Sequence, residues 1–218
     1  MSDASLYDDA HERIVELVTK GDREVAVPTC PGWTVGDLVA HLAGGLGDFV
    51  AGRFDGAGTD EWGERQVRER RDRSLAESLD EWKATRATAT AVFESRMGPI
   101  LVTEIVSHEH DIRTALGKRG ERDGAGVRAA LNGPLGEIDR RLQAAGLPAL
   151  RVIADGEERI LGEGEPAATL RTTSFELLRT ISGRRSSDQA RRLDWDGDPA
   201  PWLEALFVFG PARADVVE

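Results

Sequence analysis

The sequence predicts a mainly α-helical protein, with a helical bundle over residues 1–146 and a small α+β domain over residues 147–218. Three observations carry that expectation. Apolar residues recur at helical spacing through most of the first two-thirds. Capping residues and glycines mark where those stretches start and stop. After Gly146-Leu147-Pro148 the pattern changes to short apolar runs divided by a turn, as paired strands require.

Over residues 3–20, Leu6, Ile14, Leu17 and Val18 share one stripe, and Gly21 follows as a stop. Pro28-Thr29-Cys30-Pro31-Gly32 reads as a loop. Thr34 and Asp37 form a capping-box pattern that opens a second helix running to Ala51, with Val35, Leu38, Leu42, Leu46 and Phe49 on its apolar side. Residues 52–73 are rich in glycine and charge and read as a solvated loop or helix face, with a clamp for an anionic substrate as the alternative. Further helices are expected over 75–96, over 99–117 with Pro99 in its first turn, and over 124–145, where Val127, Leu131, Leu135, Ile138 and Leu142 repeat. In the second domain Leu150, Val152 and Ile153 suggest a strand, Asp155-Gly156 a turn, and Arg159-Ile160-Leu161 a returning strand. Thr173 and Glu176 cap a short helix that Gly183 ends; Leu193-Asp194-Trp195 and a helical piece around Trp202, Leu203 and Leu206 complete the region.

With 218 residues and 40% hydrophobic content the chain is long enough to bury a substantial core. Its net charge of −11 opposes a phosphate backbone, so no nucleic-acid partner is expected. No apolar run approaches the roughly 20 residues of a membrane span, and Met1-Ser2-Asp3-Ala4-Ser5 does not begin a secretory signal. The expectation is therefore a cytoplasmic protein without a membrane partner. Cys30 is the single cysteine, which excludes an intramolecular disulfide.

The expected helix over 99–117 contains Glu104-Ile105-Val106-Ser107-His108. Residues four apart stack on one helix face, so this carboxylate and imidazole can share a ligand. His108 fills a gap in the apolar stripe Leu101, Ile105, Ile112 and Leu116, so its ring should point inward. Asp111 extends the polar flank one turn further. A buried Glu, His and Asp cluster is costly unless something binds it; an exposed Glu–His pair of weak effect is the alternative. On the second helix His41 lies beside Leu38 and Leu42, with Gly44 and Gly45 expected to leave open space near the imidazole. A hydrogen-bonded core histidine is the other reading of His41. Two imidazoles and one carboxylate suit zinc or another borderline divalent ion with an open coordination position.

The run Pro28-Thr29-Cys30-Pro31-Gly32-Trp33-Thr34-Val35-Gly36-Asp37-Leu38-Val39-Ala40-His41-Leu42 resembles the signature of the mycothiol-dependent maleylpyruvate isomerases, members of the DinB-like superfamily. The run from Glu104 to Asp111 resembles that family's second signature, and so does Gly183-Arg184-Arg185-Ser186 followed by Gly197-Asp198. The resemblance implies a DinB-like four-helix bundle that binds a divalent metal, commonly zinc. It maps the three metal ligands onto His41, Glu104 and His108, and sets Asp111 in a supporting or substrate-contacting role. It further implies mycothiol, a small thiol, as cofactor, used to isomerise a cis double bond of a small-molecule substrate. Metal coordination would make that thiol a thiolate near neutral pH.

The expected function is thus a metal- and mycothiol-dependent isomerase or thiol transferase. A non-catalytic protein that captures a thiol or small ligand at its metal is the alternative. Cys30 reads as a small packed residue or as a catalytic thiol, and His110, about 200° round the helix from His108, as exposed. His11 is expected to flank the core. Arg184 and Arg185 read as the basic end of a helix or as contacts for the thiol's polar groups.

Overall fold

In a computed structural model describing residues 1–218, Ser2 opens the first helix, α1 (Asp3–Lys20), by accepting a hydrogen bond from the Ser5 backbone N–H. Thr34 and Asp37 cap each other reciprocally at the start of α2 (Val35–Ala51), and Gly52 ends it in the left-handed region at φ 69°. Thr59 caps α3 (Asp60–Arg70), and a second reciprocal box, Ser74 with Glu77, starts α4 (Leu75–Arg86). A single turn, α5 (Thr90–Phe93), precedes α6 (Gly98–Ala115), whose first turn holds Pro99. These elements form the unit Met1–Gly120, in which α6 packs on α1 and α2, and α2 packs on α3 and α4.

Trp82 anchors the centre of this unit. It is fully buried, its Nε1–H donates to the buried Tyr7 hydroxyl at 2.7 Å, and Tyr7 meets Phe93 edge-on at 4.9 Å. Truncating a tryptophan in such a position costs about 3–5 kcal/mol.

The helix expected over 75–96 stops at Arg86. Beyond it, Thr88 turns its hydroxyl back to the Thr85 carbonyl at 2.9 Å, a local bond that competes with helix continuation. The larger departure is α3. The solvated reading of its segment holds on one side only, because Trp62, Gln66, Val67 and Arg70 are buried. The anion clamp is not formed by Arg65 and Arg70, which are held by Asp48 and Glu81.

The second unit, Glu121–Glu218, contains α7 (Ala125–Ala130), α8 (Asn132–Ala144), β1 (Leu150–Ala154), β2 (Glu157–Leu161), β3 (Ala168–Thr172), α9 (Ser174–Ile181), α10 (Ser187–Arg191), β4 (Asp194–Asp196) and α11 (Ala200–Leu206). The sheet order is β2-β1-β3-β4. The strands β1 and β2 form an antiparallel hairpin across Asp155-Gly156, β1 runs parallel to β3, and β3 is antiparallel to β4. Leu150, Val152 and Leu170 alternate onto the buried face. The strand β3 was not expected, since Ala168-Thr169-Leu170-Arg171-Thr172 is short and only weakly apolar.

The division expected at 146/147 moves to 120/121. The helix expected over 124–145 breaks into α7 and α8, and both pack within the second unit: α7 on α9, α8 on β2 and α11. Asp139 accepts from the Gly162 backbone N–H at 2.7 Å, and Arg141 donates to the Phe207 and Val208 carbonyls. Helical periodicity shows that a face is buried and leaves open what buries it. No helix is long and apolar enough to cross a membrane.

Candidate metal centre

His41 on α2 and Glu104 and His108 on α6 converge, with one ligand atom from each lying within 4.8 Å of the others. His41 Nε2 stands 3.3 Å from Glu104 Oε1, and the two imidazole rings meet edge-on at 5.0 Å. Their side chains are mostly enclosed, at 8% exposure for His41, 17% for Glu104 and 12% for His108. The inward orientation expected of His108 is present.

Each histidine has its Nδ1 engaged. His108 Nδ1 lies 2.9 Å from Asp111 Oδ2, and His41 Nδ1 lies 2.7 Å from Gln66 Oε1. An ionised carboxylate and an amide oxygen only accept, so neutral rings donate from Nδ1 and keep the Nε2 lone pair. Two Nε2 lone pairs and a carboxylate then make an acceptor-only set, which repels itself unless a cation stands among the atoms. Donor chemistry and spacing therefore fit a divalent ion, and three protein ligands leave a coordination position open.

Asp111 is fully buried and gathers three groups. Besides His108, Thr29 Oγ1 donates to its Oδ1 at 2.7 Å and the Cys30 thiol to its Oδ2 at 3.5 Å. The proline-bounded loop is thereby tied to the back of the His108 ring. Cys30, His108 and Asp111 also have ligand-type atoms within 4.8 Å of one another, so the cysteine is closer to the centre than its position in a loop suggested.

Some expectations do not hold. Gly44 and Gly45 leave no open space, because α3 fills it at Gly44 and Glu104 of α6 stands closest at Gly45. A Cβ at Gly44 would lie 2.6 Å from Arg70 Nη1 and 2.8 Å from Gln66 Cβ, and one at Gly45 would lie 3.3 Å from Glu104 Oε1. His110 is 3% exposed where an exposed ring was expected, since α6 is packed by α1, α2 and α5 on more than one side. His11 does flank the core, with its ring 4.4 Å from Trp82, and burial pushes its pKa below the usual value. Arg185 is held by Glu176 and Glu218 at 2.8 Å each.

Sequence reasoning passed over Gln66 altogether, along with the packing of Trp33, whose ring lies 5.0 Å from His41 and whose Nε1–H donates to Glu64 at 2.6 Å. A signal for Gln66 existed. Thr59 is a good N-cap, Asp60 and Glu61 suit a helix start, and Trp62, Gln66, Val67 and Arg70 share one helical stripe.

Residues 5–99 match the family model described as the mycothiol maleylpyruvate isomerase N-terminal domain. The match covers the helices that carry His41 and Gln66 and makes this part of the chain similar to that family's N-terminal domain. Within the matched residues lies His41, while Glu104 and His108 fall beyond them. No curated protein sequence matches the chain significantly. Among solved structures the chain is similar to a mycothiol-dependent maleylpyruvate isomerase at 14% identity, over 84% of this chain and 88% of that one, with a TM-score of 0.54. A histidine-to-alanine mutant of the mycothiol-dependent enzyme matches with the same values. At that identity the likeness is one of fold: a mainly α protein with a small α+β part, as in the mycothiol maleylpyruvate isomerase structure.

Proposed function

We propose that this protein is a divalent-metal-dependent enzyme that uses mycothiol or a similar small thiol in an isomerisation or thiol transfer. One observation carries the reading: three acceptor groups, His41, Glu104 and His108, converge within 4.8 Å, and each imidazole has its other nitrogen engaged. Zinc matches this mix of two imidazoles and one carboxylate best. The similarity of residues 5–99 to the mycothiol maleylpyruvate isomerase N-terminal domain supports a small thiol as cofactor.

A bound divalent ion would supply positive charge that lowers the pKa of a sulfur at the open position. The chain's own residues do the remainder. Asp111 and Gln66 orient the two imidazoles, and Thr29 and Cys30 hold Asp111 in place. Trp33 and Trp62 wall the His41 side with apolar surface that limits water. In an isomerisation the thiol adds to the double bond, the substrate rotates about the resulting single bond, and elimination returns the thiol unchanged.

The experiment is turnover of a cis-enoyl keto acid, maleylpyruvate first, by zinc-loaded and zinc-stripped protein with and without mycothiol. Turnover is expected only with both present and not in His41→Ala. Activity of the stripped protein without thiol would reject the mechanism. Thiol binding without turnover across a wide set of electrophiles would leave a binding protein instead.

A further inference from the structure

His41 is the one proposed ligand with no ligand neighbour on its own helix, and its orientation is set from α3. Gln66 Oε1 lies 2.7 Å from His41 Nδ1, while Gln66 Nε2 donates to Asp48 Oδ2 at 2.7 Å. Asp48 returns to α2, two turns along from His41, and is 1% exposed. Arg65 also donates to its Oδ2 at 2.6 Å, and Arg53 Nε to its Oδ1 at 2.8 Å.

Burial alone would raise the pKa of Asp48, but hydrogen bonds from Gln66, Arg65 and Arg53 outweigh it and hold the carboxyl below its usual range. An ionised carboxylate only accepts, so the Gln66 amide must turn its NH2 toward Asp48. The amide oxygen then faces His41, and a facing oxygen requires a proton on Nδ1. The chain of donors and acceptors has one consistent direction, running from His41 through Gln66 to Asp48.

We propose that Gln66 and Asp48 are positioning residues that lock His41 in its Nδ1–H form and hold Nε2 ready for a divalent ion. The inference rests on the metal reading above, and it adds a second anchoring arm to the one Asp111 makes with His108. Asp48 acts at one remove: with an asparagine in its place the acceptor-only constraint is gone, the Gln66 amide is free to flip, and the proton on His41 can move to the nitrogen that should ligate.

The test uses the full chain and zinc alone, without thiol or substrate. Wild type, Gln66→Leu, Asp48→Asn and the double variant are titrated with zinc in competition with a chromophoric chelator. Gln66→Leu should weaken zinc binding by about 10–100-fold, the usual range for a lost outer partner of a ligand. Asp48→Asn should weaken it less, and the double variant should bind no more weakly than Gln66→Leu. Losses that add in the double variant, or an unchanged affinity in Gln66→Leu, would overturn the inference. In parallel, long-range 1H–15N spectra of the metal-free protein should show His41 protonated at Nδ1 in wild type and redistributed in Gln66→Leu. Protonation at Nε2 in wild type would also overturn it. A wild type that binds no zinc would instead remove the metal reading, and the spectra would then decide the lock by themselves. Should Gln66→Leu fail to fold, Asp48→Asn keeps the side-chain shape and reads the same chain of bonds.

Discussion

Glu104 on α6 brings its Oε1 to 3.3 Å from His41 Nε2 on α2. Two acceptors at that distance, with the imidazole proton held at Nδ1 by Gln66, repel unless positive charge comes between them. With the proposed ion bound, the α2–α6 contact would hold a cation between these two acceptors.

Metal content follows first. Purified protein should contain about one divalent ion per chain, and His41→Ala or His108→Ala should lose it, because two remaining donors hold such an ion poorly. Elemental analysis of protein prepared without chelator checks this. A metal-free wild type that takes up no added zinc would reject the site.

Stability should respond as well. An ion that binds only the folded chain stabilises it by mass action, and in a chain of this size each kcal/mol moves Tm by about 2–4 °C. Saturating zinc should therefore raise the melting temperature by several degrees over protein in excess chelator, and should not do so in His41→Ala. Coincident melting curves for wild type would argue against an ion shared between α2 and α6.

The thiol of Cys30 donates to Asp111, an acceptor already used by Thr29 and His108. A serine hydroxyl can make the same donation. Cys30→Ser should retain zinc binding and thiol-dependent turnover, and protein without added thiol should remain inactive whether residue 30 is cysteine or serine. Loss of turnover in Cys30→Ser with zinc affinity intact would make the cysteine the nucleophile.

Tyr7 supplies a test of the core beneath the site. It is the single tyrosine, and burial raises its pKa far above the ordinary value of about 10. Below pH 10 both folded and unfolded chains keep the phenol protonated, and its contribution to stability is constant. Above that pH only the unfolded chain ionises, so stability falls as pH rises. Tyrosinate absorbance should consequently appear together with loss of helical circular dichroism in an alkaline titration. A tyrosinate step near pH 10 with the helical signal intact would place Tyr7 in contact with water.

Much of this was legible in the sequence, and the remainder was hidden for identifiable reasons. Capping pairs at Thr34–Asp37 and Thr173–Glu176 and the spacing of Glu104 and His108 are local, so residue order carried them. Gln66 sits in a run of charges and meets His41 only after α3 folds back on α2; its role depends on a contact 25 positions away that no local pattern encodes. His110 and the 120/121 boundary were missed for a related reason. Periodicity identifies a buried face, whereas α6 is covered on several sides and α8 turns its face to the sheet of the second unit.

Replacing helical glycines with alanine is a standard route to a more stable protein, with a gain of about 1 kcal/mol for an exposed position. On α2 the same exchange has opposite meanings at two sites one turn apart. Gly47 has nothing within 4 Å of an added Cβ, so alanine there should simply strengthen the helix. At Gly44 the added methyl would run into Gln66 and Arg70 and push α3 outward, taking the His41 anchor with it. The sequence rule alone does not separate these two alanines, yet one of them would loosen the imidazole of the candidate centre. The weakness of glycine as a helix former is here the condition for a short distance between two helices.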